Sequence, residues 1–359
     1  MNICFTETET ESRQFFEDRL RNHQLSFVSE LQETGRDVDC VSIFINSRID
    51  QEFLSGHSQL RLIATRSTGL DHIDLNACGA SGVAVSFVPS YGENTVAEHT
   101  FALLLAISRR LQQAMAIERG GNFSFEELRG FDLKDKTIGV VGAGRIGLHV
   151  IRIAKAFNMR VIATDSNPSS VLAEVLGFKY VSLDELLQSS HIISLHVPLT
   201  PETLHLLNDE TFAKCRRGIV VINTARGSLI ETQALLNALD SGIVIGAGLD
   251  VLEDERLFRR KASRLITEKI VKDLQNVSSP EEVHLRHPER LAEIRQLTEN
   301  ERLLSKPNVV FTPHIAFNSE EAVRRIDEVT VRNILAFARG EPMNVVSEGP
   351  RQPYSYMSH

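Results

Sequence analysis

The feature that most constrains this chain is an alternation: short apolar runs of strand length recur along it, separated by amphipathic segments long enough for a helix. Such runs need cover on both faces and parallel neighbours need long crossovers, so the pattern specifies parallel sheets wrapped by helices, an α/β fold throughout. Ile3 to Phe5, Leu25 to Val28, Val41 to Ile45, Leu62 to Thr65 and Val83 to Phe87 are five strand candidates, with a helix expected over Glu11 to Arg21. That set suffices for one small open sheet. Val96 to Arg110 is apolar almost all round, which predicts a buried helix crossing between two domains and capped by Asn94 or Thr95. A second series of strands follows at Thr137 to Val141, Arg160 to Ala163, Ile192 to Leu195, Ile219 to Ile222 and Ile243 to Leu249, the spacing of a dinucleotide-binding sheet. Val309 to Phe311 is one more strand, and Ser319 to Arg339 a long helix that returns to the first domain.

Length and composition narrow the function classes. A chain of 359 residues holds about two domains. With 42% hydrophobic and 24% charged residues it is an ordinary globular sequence, and no apolar run reaches the roughly 18 residues of a membrane span. A net charge of −8 works against a nucleic-acid partner, since such binding rests on cations that neutralise phosphates. Cys4, Cys40, Cys78 and Cys215 are scattered without a C-x-x-C pair, and the N-terminus turns acidic at Glu7, Glu9 and Glu11 rather than basic. Buried thiols and a cytoplasmic location are the expectation. His196, His205, His284, His287 and His314 offer no compact metal-ligand set, so no metal is expected.

The densest motif is Gly142-Ala143-Gly144-Arg145-Ile146-Gly147, a G-x-G-x-x-G directly after the strand ending at Val141 and before a helical stretch, Leu148 to Phe157. There the glycines allow a tight turn, close approach of a pyrophosphate and close helix packing, while the helix N-terminus supplies N–H groups and positive dipole. Asp165 ends the next strand, where a carboxylate accepts hydrogen bonds from the adenine ribose. It favours NAD(H) and repels the extra phosphate of NADP, although a helix N-cap is its other reading.

Three further residues stand past strand ends, where α/β sheets hold their ligands. Arg226 lies in Asn223-Thr224-Ala225-Arg226-Gly227, Glu255 closes Leu249 to Glu255, and His314 follows Val309 to Phe311. A guanidinium suits a carboxylate or polarises a carbonyl, and an imidazole backed by a carboxylate is a proton donor. Together with a nicotinamide these groups fit interconversion of a 2-oxo acid and a 2-hydroxy acid.

The chain from about Val41 to Val346 resembles the D-isomer-specific 2-hydroxyacid dehydrogenases, on GAGRIG with Asp165, HVPLTPETLHLLN (196 to 208), NTARG (223 to 227), GLDVLEDE (248 to 255) and TPHIAF (312 to 317). Within that family it is similar to the D-lactate dehydrogenases, through PSYGENTVAEH (89 to 99) and HIAF (314 to 317). The resemblance implies two Rossmann-like, doubly wound domains: a smaller substrate domain over residues 1–95 and 315–347, into which an NAD-binding domain, 96–314, is inserted. It implies Arg226, Glu255 and His314 as the catalytic set. The cofactor residues implied are Gly142, Gly144, Arg145, Ile146, Gly147, Asp165, His196, Val197, Pro198, Thr203, Thr224, Ala225, Asp250 and Thr95. For the substrate it implies Ser67, Thr68 and Gly69 at the carboxylate, with Tyr91 and Phe317 lining a pocket for a small, pyruvate-like side chain. Packing between domains is the alternative for those two aromatics. A homodimer is implied as well. Residues of about 256–306 form a charged stretch, containing Arg259-Arg260-Lys261 and Glu281-Glu282, that reads as a solvated helical insertion longer than the family carries, directly after Glu255. Residues 348–359 are a C-terminal tail.

Other functions share these residues. An NAD-sensing interaction protein of the corepressor type keeps the same three groups, and glycerate or hydroxypyruvate reduction uses the same chemistry. Formate dehydrogenases pair the histidine with a glutamine, where this chain has Glu255.

Overall fold

Every strand pairing inside the two sheets of this computed structural model is parallel, as runs buried on both faces require. Residues 1–119, 125–255 and 288–346 are described. They fall into two units, Met1–Gly92 with the segment from Ser319 onward, and Glu93–Asn318.

The smaller unit carries β1 (Asn2–Thr6), β2 (Gln24–Val28), β3 (Cys40–Ile43), β4 (Leu62–Thr65) and β5 (Ala84–Ser86), in the spatial order β2-β1-β3-β4-β5. Successive side chains of a strand point to opposite faces, and the core divides accordingly. Ile3, Phe5 and Leu62 pack with Phe16 and Ile334 from the helices Thr10–Arg19 and Glu320–Ala338. Cys4 and Ile63 pack on the other face with Leu54, Ala77 and Cys78 from the short helices Gln51–Ser55 and Leu75–Ala80. Ser319 caps the last helix, its hydroxyl accepting from Ala322 N at 3.2 Å.

The larger unit carries β6 (Thr137–Val141), β7 (Arg160–Thr164), β8 (Lys179–Tyr180), β9 (Ile192–Leu195), β10 (Ile219–Asn223), β11 (Val244–Leu249) and β12 (Val309–Phe311). Their order, β12-β11-β10-β9-β6-β7-β8, reverses direction between β6 and β9. At such a switch point two connections leave in opposite directions and open a crevice at the carboxyl edge. The helices Glu93–Ser108 and Arg145–Ala156 close one face with Leu104, Val150 and Ile151. The helix Thr232–Asp240 closes the other with Leu235 and Leu239.

Some expectations shift. The apolar helix starts at Glu93, so Asn94 and Thr95 lie inside its first turn rather than capping it, and it ends at Ser108 as a member of the larger unit. β8 was not expected; at two residues it has no periodicity to read. Of the charged insertion, 288–304 is a helix, Pro288–Leu304, with Asn300 and Leu303 fully buried, so that part is docked on the unit rather than solvated all round. Residues 256–287, with Arg259-Arg260-Lys261, Glu281-Glu282, His284 and His287, lie outside the described residues, as does the tail 348–359. No described helix is long and apolar enough to cross a membrane.

Candidate active site

The turn that leaves β6 is shaped by missing side chains. Gly142 sits at φ +92°, where a Cβ would stand 2.6 Å from the His196 carbonyl oxygen. At Gly147 a Cβ would stand 2.0 Å from the Gly142 oxygen, so the helix Arg145–Ala156 lies closer to its strand than any side chain permits. Beside Gly144 there is open space: a Cβ there would meet nothing within 4 Å, and no side chain caps the helix that begins at Arg145 and Ile146. An uncapped helix N-terminus facing open space is a cradle for a pyrophosphate, and these residues therefore fit a dinucleotide.

Asp165 stands just beyond β7 with its carboxylate against that turn. Its Oδ2 accepts from Ala143 N at 2.7 Å and its Oδ1 from Asn167 N at 2.8 Å. The next helix begins five residues on and is capped by Ser169, so the N-cap reading of Asp165 is set aside. Each oxygen keeps a second lone pair for a ribose hydroxyl. Across the switch point, His196 follows β9 and holds Ser194 Oγ at 2.7 Å through Nε2. Burial pushes its pKa down to about 3, so the ring is neutral. Val197 and Pro198 continue the chain from there. The Thr203 hydroxyl donates to Pro198 O and accepts from Thr200 N, both at 2.7 Å, which makes Thr203 the clasp of this loop.

The next three strands end side by side, and each is followed by one of the acid, base or cation candidates. After β10, the side chain of Asn223 accepts from Ala225 N at 3.0 Å and donates to Arg226 O at 2.8 Å, which folds Asn223 to Arg226 into a tight turn. Thr224 is pinned through its hydroxyl to Thr100 at 3.0 Å, and Arg226, half-buried, donates from Nη1 to Ala225 O at 2.7 Å. Gly227 is obligatory, because a Cβ would fall 1.9 Å from Leu252 O. Past β11 comes Glu255 and past β12 His314, 59 residues apart in sequence. The Glu255 Oε1 lies 2.6 Å from His314 Nδ1, and both side chains are about three-quarters buried, at 28% and 24% exposure.

His314 adopts φ +56°, a left-handed conformation that a non-glycine residue holds only under constraint. Asp250 supplies the constraint. Its carbonyl accepts from His314 N at 2.8 Å, and its carboxylate accepts from Thr312 Oγ1 (2.6 Å), Ile315 N (2.9 Å) and Ala316 N (2.8 Å). His99, on the buried helix, donates from Nε2 to Thr312 Oγ1 at 2.8 Å and lies 3.4 Å from Asp250. Burial alone would push the Asp250 carboxyl up, but the hydrogen bonds from His99, Thr312 and the two N–H groups outweigh it and hold it below the ordinary value. The Asp250 carboxylate has no exposed surface, and its bonds shape the loop that carries His314.

In the smaller unit, Ser67, Thr68 and Gly69 follow β4. Their hydroxyls are spent internally, Ser67 Oγ on Gly69 O (2.7 Å) and Thr68 Oγ1 on Val88 O (2.8 Å). The backbone N–H groups of 67–69 donate to no acceptor among the described residues. Buried Arg66 ties this loop to β1 by donating to Thr6 O and, at 3.2 Å, to Glu7 O. Tyr91 and Phe317 are half-buried, one in each unit. Sequence reasoning missed His99, Thr100 and Thr312; the signal available was a pair of polar residues, His99 and Thr100, inside an otherwise apolar helix, since buried polar groups are there to be bonded. Among the described residues no cluster of His, Cys, Asp or Glu could hold a metal.

The chain is similar to known proteins along most of its length. Residues 101–316 match the family model described as D-isomer specific 2-hydroxyacid dehydrogenase, NAD binding domain. The chain is 36% identical to the D-lactate dehydrogenase of Escherichia coli over 314 residues, 86% of each chain. It is 33% identical to a glyoxylate reductase of Thermococcus litoralis over 326 residues, covering 89% of this chain and 86% of the relative. Among solved structures, the D-lactate dehydrogenase of Aquifex aeolicus, complexed with NAD and lactic acid, superposes with a TM-score of 0.79 at 35% identity, over 95% of this chain and 96% of that one.

Proposed function

This chain belongs to the D-isomer specific 2-hydroxyacid dehydrogenase family, whose members are NAD-dependent oxidoreductases acting on CH–OH, and we propose that it interconverts a small, pyruvate-like 2-oxo acid and its D-2-hydroxy acid. The observation that carries this reading is the 2.6 Å contact between His314, past β12, and Glu255, past β11, on the side of the sheet where β10 presents Arg226. The glycine cradle at Gly142, Gly144 and Gly147 would hold NADH, which would supply the hydride for reduction of the carbonyl carbon. His314 donates a proton from Nε2 to the carbonyl oxygen as its charge develops, while Nδ1–H donates to Glu255. In the reverse direction neutral Nε2 accepts the hydroxyl proton. Arg226 binds the substrate carboxylate or polarises the carbonyl through its planar fork.

To Ser67, Thr68 and Gly69 we assign the substrate carboxylate, on the strength of three N–H groups with no acceptor among the described residues. Tyr91 and Phe317 are assigned to the substituent at C3, where apolar walls favour a small uncharged group. The reading makes 1–95 and 315–347 the substrate domain and 96–314 the cofactor domain, to within a few residues of the unit boundaries. It extends to a homodimer, supported by exposed Leu111, Met115 and Ile245 on the larger unit, and to the reducing cytoplasm, supported by four buried free thiols.

The test is loss of NADH absorbance with a panel of 2-oxo acids including pyruvate, glyoxylate and hydroxypyruvate. Pyruvate should turn over best. His314→Ala and Arg226→Ala should each lower kcat/KM by at least about a hundredfold, with NADH affinity retained. Near-normal turnover in His314→Ala contradicts the acid role, and NADH binding without turnover of any 2-oxo acid favours a sensing protein.

A further inference from the structure

Two residues before Glu255, the chain is gripped from three distant places. Glu253 has a side chain only 14% exposed; its Oε1 lies 2.5 Å from His205 Nε2, and its Oε2 accepts from Thr232 N at 3.2 Å and Thr232 Oγ1 at 3.0 Å. Glu231 gives the helix Thr232–Asp240 no side-chain cap, so the Glu253 carboxylate satisfies that helix end from across the sheet edge. The Glu253 carbonyl accepts from Asn300 Nδ2 at 2.8 Å. Asn300 is fully buried on the helix Pro288–Leu304, and its Oδ1 accepts from Gln296 Nε2 at 3.2 Å, while Gln296 also reaches Thr232 Oγ1 at 2.8 Å. Between Glu253 and Glu255 stands Asp254 at φ +48°, a left-handed residue that turns the chain toward His314.

We infer that Asn300, with Thr232 and His205, positions Glu255 through Glu253, so that the docked helix of the insertion is part of the acid–base machinery. The inference rests on the function proposed above. A carbonyl held from one side and a carboxylate held from the other fix the peptide that leads into the left-handed turn, and only that turn separates the grip from the Glu255 side chain. Without the amide of Asn300 the partly buried carbonyl loses its donor, the peptide is free to rotate, and Glu255 leaves its 2.6 Å contact. Asn300, Thr232 and His205 are positioning residues; they act on the imidazole only through Glu255.

The experiment compares wild type, Asn300→Leu, Glu255→Gln and the double variant. Asn300→Leu should lower kcat for 2-oxo acid reduction about tenfold with NADH affinity and substrate KM within about twofold, the pattern of a displaced group rather than a lost binding contact. The double variant should be no slower than Glu255→Gln alone. The NMR signals of the His314 imidazole, recorded at one fixed pH, read the same displacement without turnover: they should move from their wild-type positions in Asn300→Leu and in Glu255→Gln alike. Should the wild type reduce no 2-oxo acid, the proposed function fails while those signals still decide the positioning role. Thr232→Val exchanges a hydroxyl for a methyl and is read in the same way if Asn300→Leu does not fold. Imidazole signals of Asn300→Leu unchanged from wild type, or losses that add in the double variant, overturn the inference.

Discussion

At the glycine turn after β6, geometry is set by what is absent, whereas at the acid–base end, past β11 and β12, it is set by side chains that are present and buried. Gly147 brings helix against strand within six residues of sequence, at the Gly142 oxygen, and Gly142 in turn leaves room for the His196 carbonyl. His314 and Glu255 meet across 59 residues, and the loop of His314 is held by Asp250, Thr312 and His99. The first kind of site is marked by one short glycine motif; the second is encoded in a network of side chains scattered along the chain. The difference teaches where each can be damaged. A single added methyl breaks the first, while the second loses function by degrees as bonds are withdrawn from it.

The contrast can be broken most severely with Gly147→Ala. Its Cβ would enter the Gly142 oxygen, so the helix must move off the strand at a cost of about 1–3 kcal/mol or more, and NADH affinity should fall at least about tenfold together with Tm. Isothermal calorimetry and a thermal melt read both; wild-type values for each would show that the close approach is not needed. A smaller effect sharpens the comparison at the same end. Asp165→Ala leaves the glycines in place and removes the carboxylate with its bonds to Ala143 N and Asn167 N, so the preference for NADH over NADPH should relax by about tenfold with a smaller fall in Tm than in Gly147→Ala. An unchanged cofactor ratio would remove the ribose assignment.

The fold was readable because apolar runs such as Ile192 to Leu195 and Ile219 to Ile222 are completely buried strands, with nothing else in those stretches competing for the assignment. Lys179-Tyr180 escaped, since two residues with one exposed carry no pattern. The residues to which the proposal gives the chemistry were also visible: Arg226, Glu255 and His314 stand past strand ends, where a charged or ionisable side chain has no reason of packing to be. The residues that hold them were not. Asp250 sits in a glycine- and leucine-rich run, and nothing in that run shows that its carboxylate is fully buried and bonded to Thr312, Ile315 and Ala316. Asn300 is indistinguishable from its neighbours in a charged helix until the helix is docked, because burial of a polar group is a property of the partner surface and not of the local sequence.

The account turns on the contact between the Glu255 carboxylate and the His314 imidazole. The most direct measurement is kcat/KM for 2-oxo acid reduction in wild type and Glu255→Gln, with NADH affinity measured beside it. In the proposed reaction His314 gives its proton to the substrate with Glu255 held at Nδ1, so removing the Glu255 charge should lower kcat/KM at least about tenfold while NADH binds as before. Equal kcat/KM in the two proteins would contradict the pairing as the source of the proton.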